Sequence, residues 1–182
     1  MQDQTVPATI RPIAADELAA VAAIYAHHVR YGTASFELEP PSEADMRRRH
    51  ADLAGHGTPF LVATAGADVL GYAYAGPYRP RPAYRNTVEN SIYLRPDAIG
   101  QGLGTRLLEA LIDACAARGF RQMVAVVGDS ANAASVRLHE RLGFRPVGVL
   151  RSVGYKHGRW LDTVLLQRVL GAGDAAPPQP RG

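Results

Sequence analysis

The chain has 182 residues, 47% of them hydrophobic and 20% charged, with a formal net charge of +3. That is enough apolar material for one domain with a full core, and too little positive charge to argue for a nucleic-acid partner. No apolar run approaches the roughly 18 residues of a membrane span, and the N-terminus lacks a basic-then-apolar leader, so a soluble cytoplasmic protein is expected.

In chain order, residues 1–7 read as a loose lead and 9–13 as a short strand. Asp16 stands where a helix cap is expected, ahead of a helix to about Val29 with Leu18, Val21, Ala22, Ile24 and Tyr25 on its apolar side. Residues 31–41 form a loop carrying Phe36 and Glu37. Ser42 caps a second, mostly polar helix over 43–54, with Arg47, Arg48 and Arg49 as a solvated face. Residues 60–64 and 69–78 read as a hairpin about 65–68. A Pro- and Arg-rich loop over 79–85 leads to a strand at 87–94. The helix over 102–118 has Leu107, Leu108, Leu111, Ile112 and Cys115 on one face. The lone cysteine thus reads as core, with no internal disulfide, which suits the cytoplasm. An apolar strand at 122–127, a helix at 132–142 and a strand pair at 147–153 and 160–169 follow. Residues 171–182 read as a disordered tail. The six histidines show no ligand spacing, so no metal is expected. Hairpins before a βαβ crossover require a mixed sheet. The expectation is one α/β domain over residues 1–170, a mixed central sheet of about seven strands flanked by about four helices.

The most informative stretch is the loop between the strand at 87–94 and its following helix, with Gly100, Gly102 and Gly104 at alternate positions. A strand that passes through glycines onto a helix N-terminus leaves several N–H groups free to cradle a phosphate or pyrophosphate. A tight strand-to-helix connection is the plainer reading. The loop lacks the Gly-Lys-Ser/Thr of a Walker motif, having Gly104-Thr105-Arg106 instead. A dinucleotide fingerprint would be G-x-G-x-x-G with an acid further on. Asp129 stands in the place of that acid, and the element order disfavours such a fold.

The segment Ile99-Gly100-Gln101-Gly102-Leu103-Gly104, with Asn132-Ala-Ala-Ser135 and His139 downstream, resembles the GNAT N-acetyltransferase superfamily. Its loop has the form Gln/Arg-x-x-Gly-x-Gly/Ala, and Ile99 departs from the first position. Thr33-Ala-Ser-Phe36-Glu, Tyr78-Arg-Pro-Arg-Pro-Ala-Tyr84-Arg85, Thr87-Val-Glu89 and Gly154-Tyr-Lys156-His-Gly-Arg-Trp160 are similar to phosphinothricin and methionine sulfoximine N-acetyltransferases. The resemblance implies acetyl-CoA as co-substrate, bound along Tyr93, Leu94, Arg95, Gln101, Gly102, Leu103, Gly104, Thr105 and Arg106, with Asn132 and Ser135 on its arm. It implies a homodimer, to which the aromatic, Arg-bearing loop at 155–160 lends itself.

Transfer to an amine needs a base. Alternation puts Glu89, Ser91 and Tyr93 on one strand face and Val88, Asn90 and Ile92 on the other. In the resembling enzymes this Glu is the proposed base; the alternative is a structural ion pair. His139 stands where many members carry a Tyr acid, and could equally be a packed helical residue. By analogy, an N–H of segment 93–95, freed by a strand distortion, would meet the oxyanion. Arg79 and Arg81 suit a carboxylate or phosphinate group, or are solvated loop charges. Lys156 reaches the acid group or sits in solvent. Phe36 walls the pocket or packs in the core. Asn90 and Ser91 complete the expected substrate contacts.

Three readings follow. One is an acetyltransferase for a small amino acid analogue. The second is an acetyltransferase for another amine, such as a protein N-terminus or polyamine. The third is a non-catalytic acyl-CoA-binding module.

Overall fold

Short hairpin connections make antiparallel neighbours of most strands, and one helical crossover makes the parallel pair. The computed structural model describes residues 8–179, so the expected lead over 1–7 lies outside the described residues. Among the described residues there are seven strands: β1 (Thr9–Pro12), β2 (Phe60–Ala65), β3 (Asp68–Pro77), β4 (Thr87–Leu94), β5 (Gln122–Gly128), β6 (Arg145–Lys156) and β7 (Arg159–Val169). They lie in one sheet in the order β1-β2-β3-β4-β5-β7-β6. Only β4 and β5 run parallel.

Helix α3 (Leu103–Ala117) is the crossover between them. Its apolar stripe, Leu107, Leu108, Leu111, Ile112 and Cys115, packs on Ala63, Ala73, Val88, Met123 and Leu166 of one sheet face. Burial pushes the Cys115 thiol up to about 12, as a core residue requires. Helix α4 (Ala133–Arg141) adds Val136 and Leu138 to the same layer. Helices α1 (Leu18–Tyr31) and α2 (Glu43–Gly55) cover the other face, where Val21, Ile24, Tyr25, Val29 and Met46 meet Phe60, Val62 and Tyr72. Ser42 caps α2 as expected: its hydroxyl accepts the Asp45 N–H (3.1 Å), and Asp45 accepts the Ser42 N–H (2.9 Å).

Three expectations need correction. Asp16 does not cap α1. It lies in a 3-10 turn, Ala15–Glu17, and α1 starts at Leu18 with its entry held by Glu17, which accepts from Arg11 (2.6 Å) and the Ala14 N–H (2.8 Å). β6 runs through Gly154 to Lys156, because an irregularity between Leu150 and Gly154, with Ser152 at φ 52°, interrupts the alternation without ending the strand. Residues 171–179 are in place rather than a loose tail: the Arg121 guanidinium donates to the carbonyls of Gly173 (3.0 Å) and Pro177 (3.2 Å).

Candidate active site

The site begins with a divergence of two strands. β4 pairs with β5 only from Thr87–Gln122 to Asn90–Ala125. Beyond that, β4 continues on β3 alone and β5 on β7 alone. One edge of β4 from Ser91 onward therefore faces a fork instead of a neighbour. The Arg95 N–H donates to the Leu70 carbonyl (2.8 Å). By antiparallel alternation the Tyr93 N–H also points at β3, and the Leu94 N–H points into the fork. Within the expected 93–95 segment, Leu94 is thus the free donor and Arg95 is not, and strand divergence rather than a bulge frees it. The Leu94 carbonyl is engaged by His28 Nε2 (2.7 Å).

The glycine loop closes one end of the fork. Gly100 (φ 84°) and Gly102 (φ 74°) have left-handed backbones that a side chain would strain, and a Cβ at either would project into open space. The first bond of α3 is Arg106 N–H to Gly102 C=O (3.3 Å), so the N–H groups of Leu103, Gly104 and Thr105 lack intrahelical acceptors. These amides and the empty space before them fit a pyrophosphate. The Leu103 side chain is buried in the core, so that residue offers only its backbone. Gln101 folds back onto the Asp97 carbonyl (3.0 Å), Arg95 pairs with Asp97 (2.6 Å) and Arg106 holds the Ala8 carbonyl (2.7 Å). Ile99 is exposed.

A cavity of about 430 Å³ occupies the fork and is lined from both sheet faces. From one face come Glu89, Ser91, Tyr93, Tyr74 and Tyr25; from the other, Asn90, Ile92, Asn132, Ser135 and His139. Glu89 is partly buried, and loss of water raises its carboxyl above the usual range, with nearby Arg79 opposing the rise. His139 is buried, its Nδ1 2.8 Å from the Ser135 carbonyl and its Nε2 2.9 Å from the Asn90 amide nitrogen. Desolvation lowers its proton affinity. Asn132 accepts the Ser135 N–H (3.2 Å), capping α4.

The segment 33–37 covers the cavity. Phe36 does line it, resting on Gly128 and Gly154, where any Cβ would collide with its ring. Thr33 donates to Asp129 (2.9 Å), which also pairs with Arg159. Tyr25, with its phenol pushed up to about 12 by burial, bonds Ser35 (2.8 Å) and Glu37 (2.9 Å), and Arg49 holds Glu37 (2.6 Å).

Three further residues expected at the substrate are not in the cavity wall. Lys156 neither reaches the cavity nor meets solvent: it is buried, and its Nζ donates to the Ser35 carbonyl (2.6 Å), so it fastens the cover. Arg79 is exposed, its guanidinium 4.6 Å from the Tyr78 ring centroid, near enough to act on Glu89 but outside the cavity walls. Arg81 is exposed and also outside them. Sequence reasoning missed Tyr74, Glu37, Ser35 and Thr163 in the lining. Tyr74 was within reach, because hairpin register sets it opposite Ser91. Among the described residues no group of His, Cys, Asp or Glu is gathered to hold a metal, and no helix is long and apolar enough to cross a membrane.

A forked mixed sheet with a glycine-opened helix N-terminus at the fork defines the acyl-CoA N-acyltransferase fold. The Acetyltransferase (GNAT) family matches residues 21–144, and the chain belongs to that family as an acetyl-CoA-dependent acetyltransferase. It is 56% identical over 171 residues to a phosphinothricin N-acetyltransferase of Alcaligenes faecalis, covering 94% of this chain and 87% of that protein. It is 43% identical to an L-methionine sulfoximine/L-methionine sulfone acetyltransferase of Pseudomonas aeruginosa, over 93% of this chain and 99% of the other. The crystal structure of a GNAT superfamily phosphinothricin acetyltransferase from Sinorhizobium meliloti in complex with acetyl-CoA superposes with a TM-score of 0.92 at 47% identity, covering 94% and 93% of the two chains.

Proposed function

We propose that the enzyme acetylates the α-amine of a small amino acid analogue of the methionine sulfoximine, methionine sulfone or phosphinothricin type. Acetyl-CoA supplies an activated acetyl thioester. The amides of Leu103, Gly104 and Thr105 hold its pyrophosphate, and the β4 edge over Tyr93–Arg95, with Asn132 and Ser135, lines the path of its arm. A free α-amine is largely protonated near neutral pH, so Glu89 takes a proton from it. Its raised proton affinity brings it toward the working pH, as a general base requires. The Leu94 N–H, directed into the fork, meets negative charge developing on the acyl oxygen. His139 returns a proton to the leaving sulfur. Phe36 excludes water, and Arg79, beside Glu89, draws the substrate's acid group to the mouth.

The observation that carries this reading is a desolvated Glu89 beside the fork, facing a cavity of about 430 Å³ lined by Phe36 and near a guanidinium. The relatives' substrates support it. The test is a scan of amines for CoA release. Methionine sulfoximine, methionine sulfone and phosphinothricin should exceed polyamines and peptides by at least about tenfold in kcat/KM, a difference of about 1.4 kcal/mol in transition-state binding. Turnover of peptides or polyamines alone overturns it. We further propose a cytoplasmic homodimer joined over the exposed apolar residues of β6 and β7, Val147, Val149, Leu150, Val153, Tyr155 and Trp160.

A further inference from the structure

The two contacts of the His139 ring fix its tautomer and the orientation of the Asn90 amide. His139 Nδ1 faces the Ser135 carbonyl at 2.8 Å. A carbonyl only accepts, so Nδ1 carries the ring proton and neutral His139 has a bare Nε2. The group 2.9 Å from that nitrogen is the Asn90 amide nitrogen, which donates to it. The other half of the amide is unused: Asn90 Oδ1 is buried and has no hydrogen-bond partner. Asn90 itself is 7% exposed, in a cavity wall it shares with His139. A buried acceptor left unpaired is costly, and in a native structure it calls for a reason.

We infer that Asn90 is a positioning residue that follows the His139 proton, donating to neutral Nε2 and turning its amide half a turn to accept from protonated Nε2 through Oδ1. The inference rests on acetyl transfer as proposed above. As the new N–C bond forms, the Asn90 N–H gives up the single Nε2 lone pair, a proton lost from the acceptor nitrogen takes its place and the imidazolium results. The turned Asn90 oxygen holds that N–H. As the thioester C–S bond breaks, Nε2 gives the proton to the departing sulfur, an S–H bond forms, and the amide turns back. Atoms and charge balance without a further reactant. The Ser135 carbonyl stays bonded to Nδ1–H throughout, so only the Nε2 side changes.

Few other groups compete for control of this histidine. Burial lowers its proton affinity, and the Ser135 carbonyl opposes that. β4 presents Asn90 to it, α4 presents Ser135, and the Phe144 ring packs edge-on at 5.0 Å. Arg137, Glu140 and Arg141 of α4 and Arg145 of β6 are exposed to solvent, and β5 brings no ionisable side chain. The ionisable groups of the cavity, Glu37, Glu89, Tyr25, Tyr74 and Tyr93, come from the opposite sheet face.

The test is ¹⁵N NMR of His139 in the full-length enzyme, alongside pH–rate profiles. The wild type should show the Nδ1–H tautomer above its titration. Asn90→Asp, whose carboxylate only accepts, should raise the His139 pKa by about one unit or more and carry the matching limb of kcat with it. Asn90→Leu, similar in size but without either function, should lower kcat by at least about tenfold while KM for acetyl-CoA stays within about twofold. A wild-type Nε2–H tautomer overturns the inference, and so does an Asn90→Asp enzyme in which His139 titrates as before. A purely structural Asn90 would alter stability without moving either the titration or the rate limb. The NMR arm needs no acceptor amine, so its outcome is independent of which substrate the enzyme takes.

Discussion

The Phe36 ring lies against Gly154, so close that a Cβ at position 154 would overlap its Cδ2, Cε2 and Cζ atoms. Gly154 sits in β6 with no positive φ, so space rather than backbone strain demands glycine there. The ring in turn covers the cavity. Gly154→Ala should lower stability by about 1–3 kcal/mol through overpacking and raise KM for the amino acid as the ring is pushed aside. Phe36→Ala in the same chain should recover most of the lost Tm, since the two changes share one contact. Additive losses in the double mutant would show that the contact is not the cause.

The glycine loop separates two uses of the same residue. Gly102→Val should weaken acetyl-CoA binding by at least about tenfold, the equivalent of about 1.4 kcal/mol, because its branched side chain projects into the space before the free amides. Its positive φ adds a stability loss of about 1–2 kcal/mol. Gly104→Ala should bind acetyl-CoA nearly as well, since its Cβ would meet Leu138 and Leu94 at 3.6 Å, ordinary contact. Calorimetry on both variants checks the contrast, and equal losses would reject it.

Glu89 sets activity against stability. Glu89→Gln should cut kcat by about 10²–10⁴-fold with acetyl-CoA affinity unchanged. The folded carboxyl binds its proton more tightly than the unfolded one. Ionisation therefore opposes folding, and this residue's contribution falls as pH rises through its unfolded and then its folded pKa. Glutamine feels no such loss. The Tm of Glu89→Gln relative to wild type should rise between pH 4 and pH 8, as a thermal series would read. A constant difference would mean that Glu89 titrates alike in both states.

What the sequence made legible was local. Glycines at 100 and 102, the cap at Ser42 and the stripe from Leu107 to Cys115 each act within a few residues, and each appears where expected. The α/β class followed from element order alone. The fork was not readable, because it depends on where β4 and β5 stop pairing, a property of register between segments more than 30 residues apart. Lys156 was misread for the same reason: its acceptor, Ser35, lies 121 residues away in the chain. A single lysine in a polar hairpin loop carries no signal of burial until the cover is folded onto it. The strand expected over 147–153 stops at Gly154 because a glycine there reads as a turn, whereas in β6 that glycine makes room for the Phe36 ring.

The exposed row on β6 and β7 should be an interface between copies. Light scattering at micromolar concentration should give a dimer mass for the wild type. Trp160→Glu, at a side chain 64% exposed in the single chain, should shift the population toward monomer, because a charge in an apolar contact must be desolvated. A wild-type monomer mass would reject the interface.

Arg79 and Arg81 were expected to act alike on the substrate's acid group, and the structure separates them. Both are exposed and outside the cavity walls, and it is Arg79, stacked on Tyr78, that lowers the proton affinity of Glu89. Arg79→Ala should therefore do two things. Without the guanidinium, the Glu89 carboxyl rises further, so the acid limb of kcat/KM should move to higher pH. KM for methionine sulfoximine should also climb, by up to about tenfold for one exposed charged contact of about 1 kcal/mol or slightly more. An amine without an acid group should show the shifted limb but little change in KM near the optimum. Arg81→Ala should leave the limb where it is. If both variants shift the profile equally, the loop acts as one charged surface and the particular pairing of Arg79 with Glu89 is wrong.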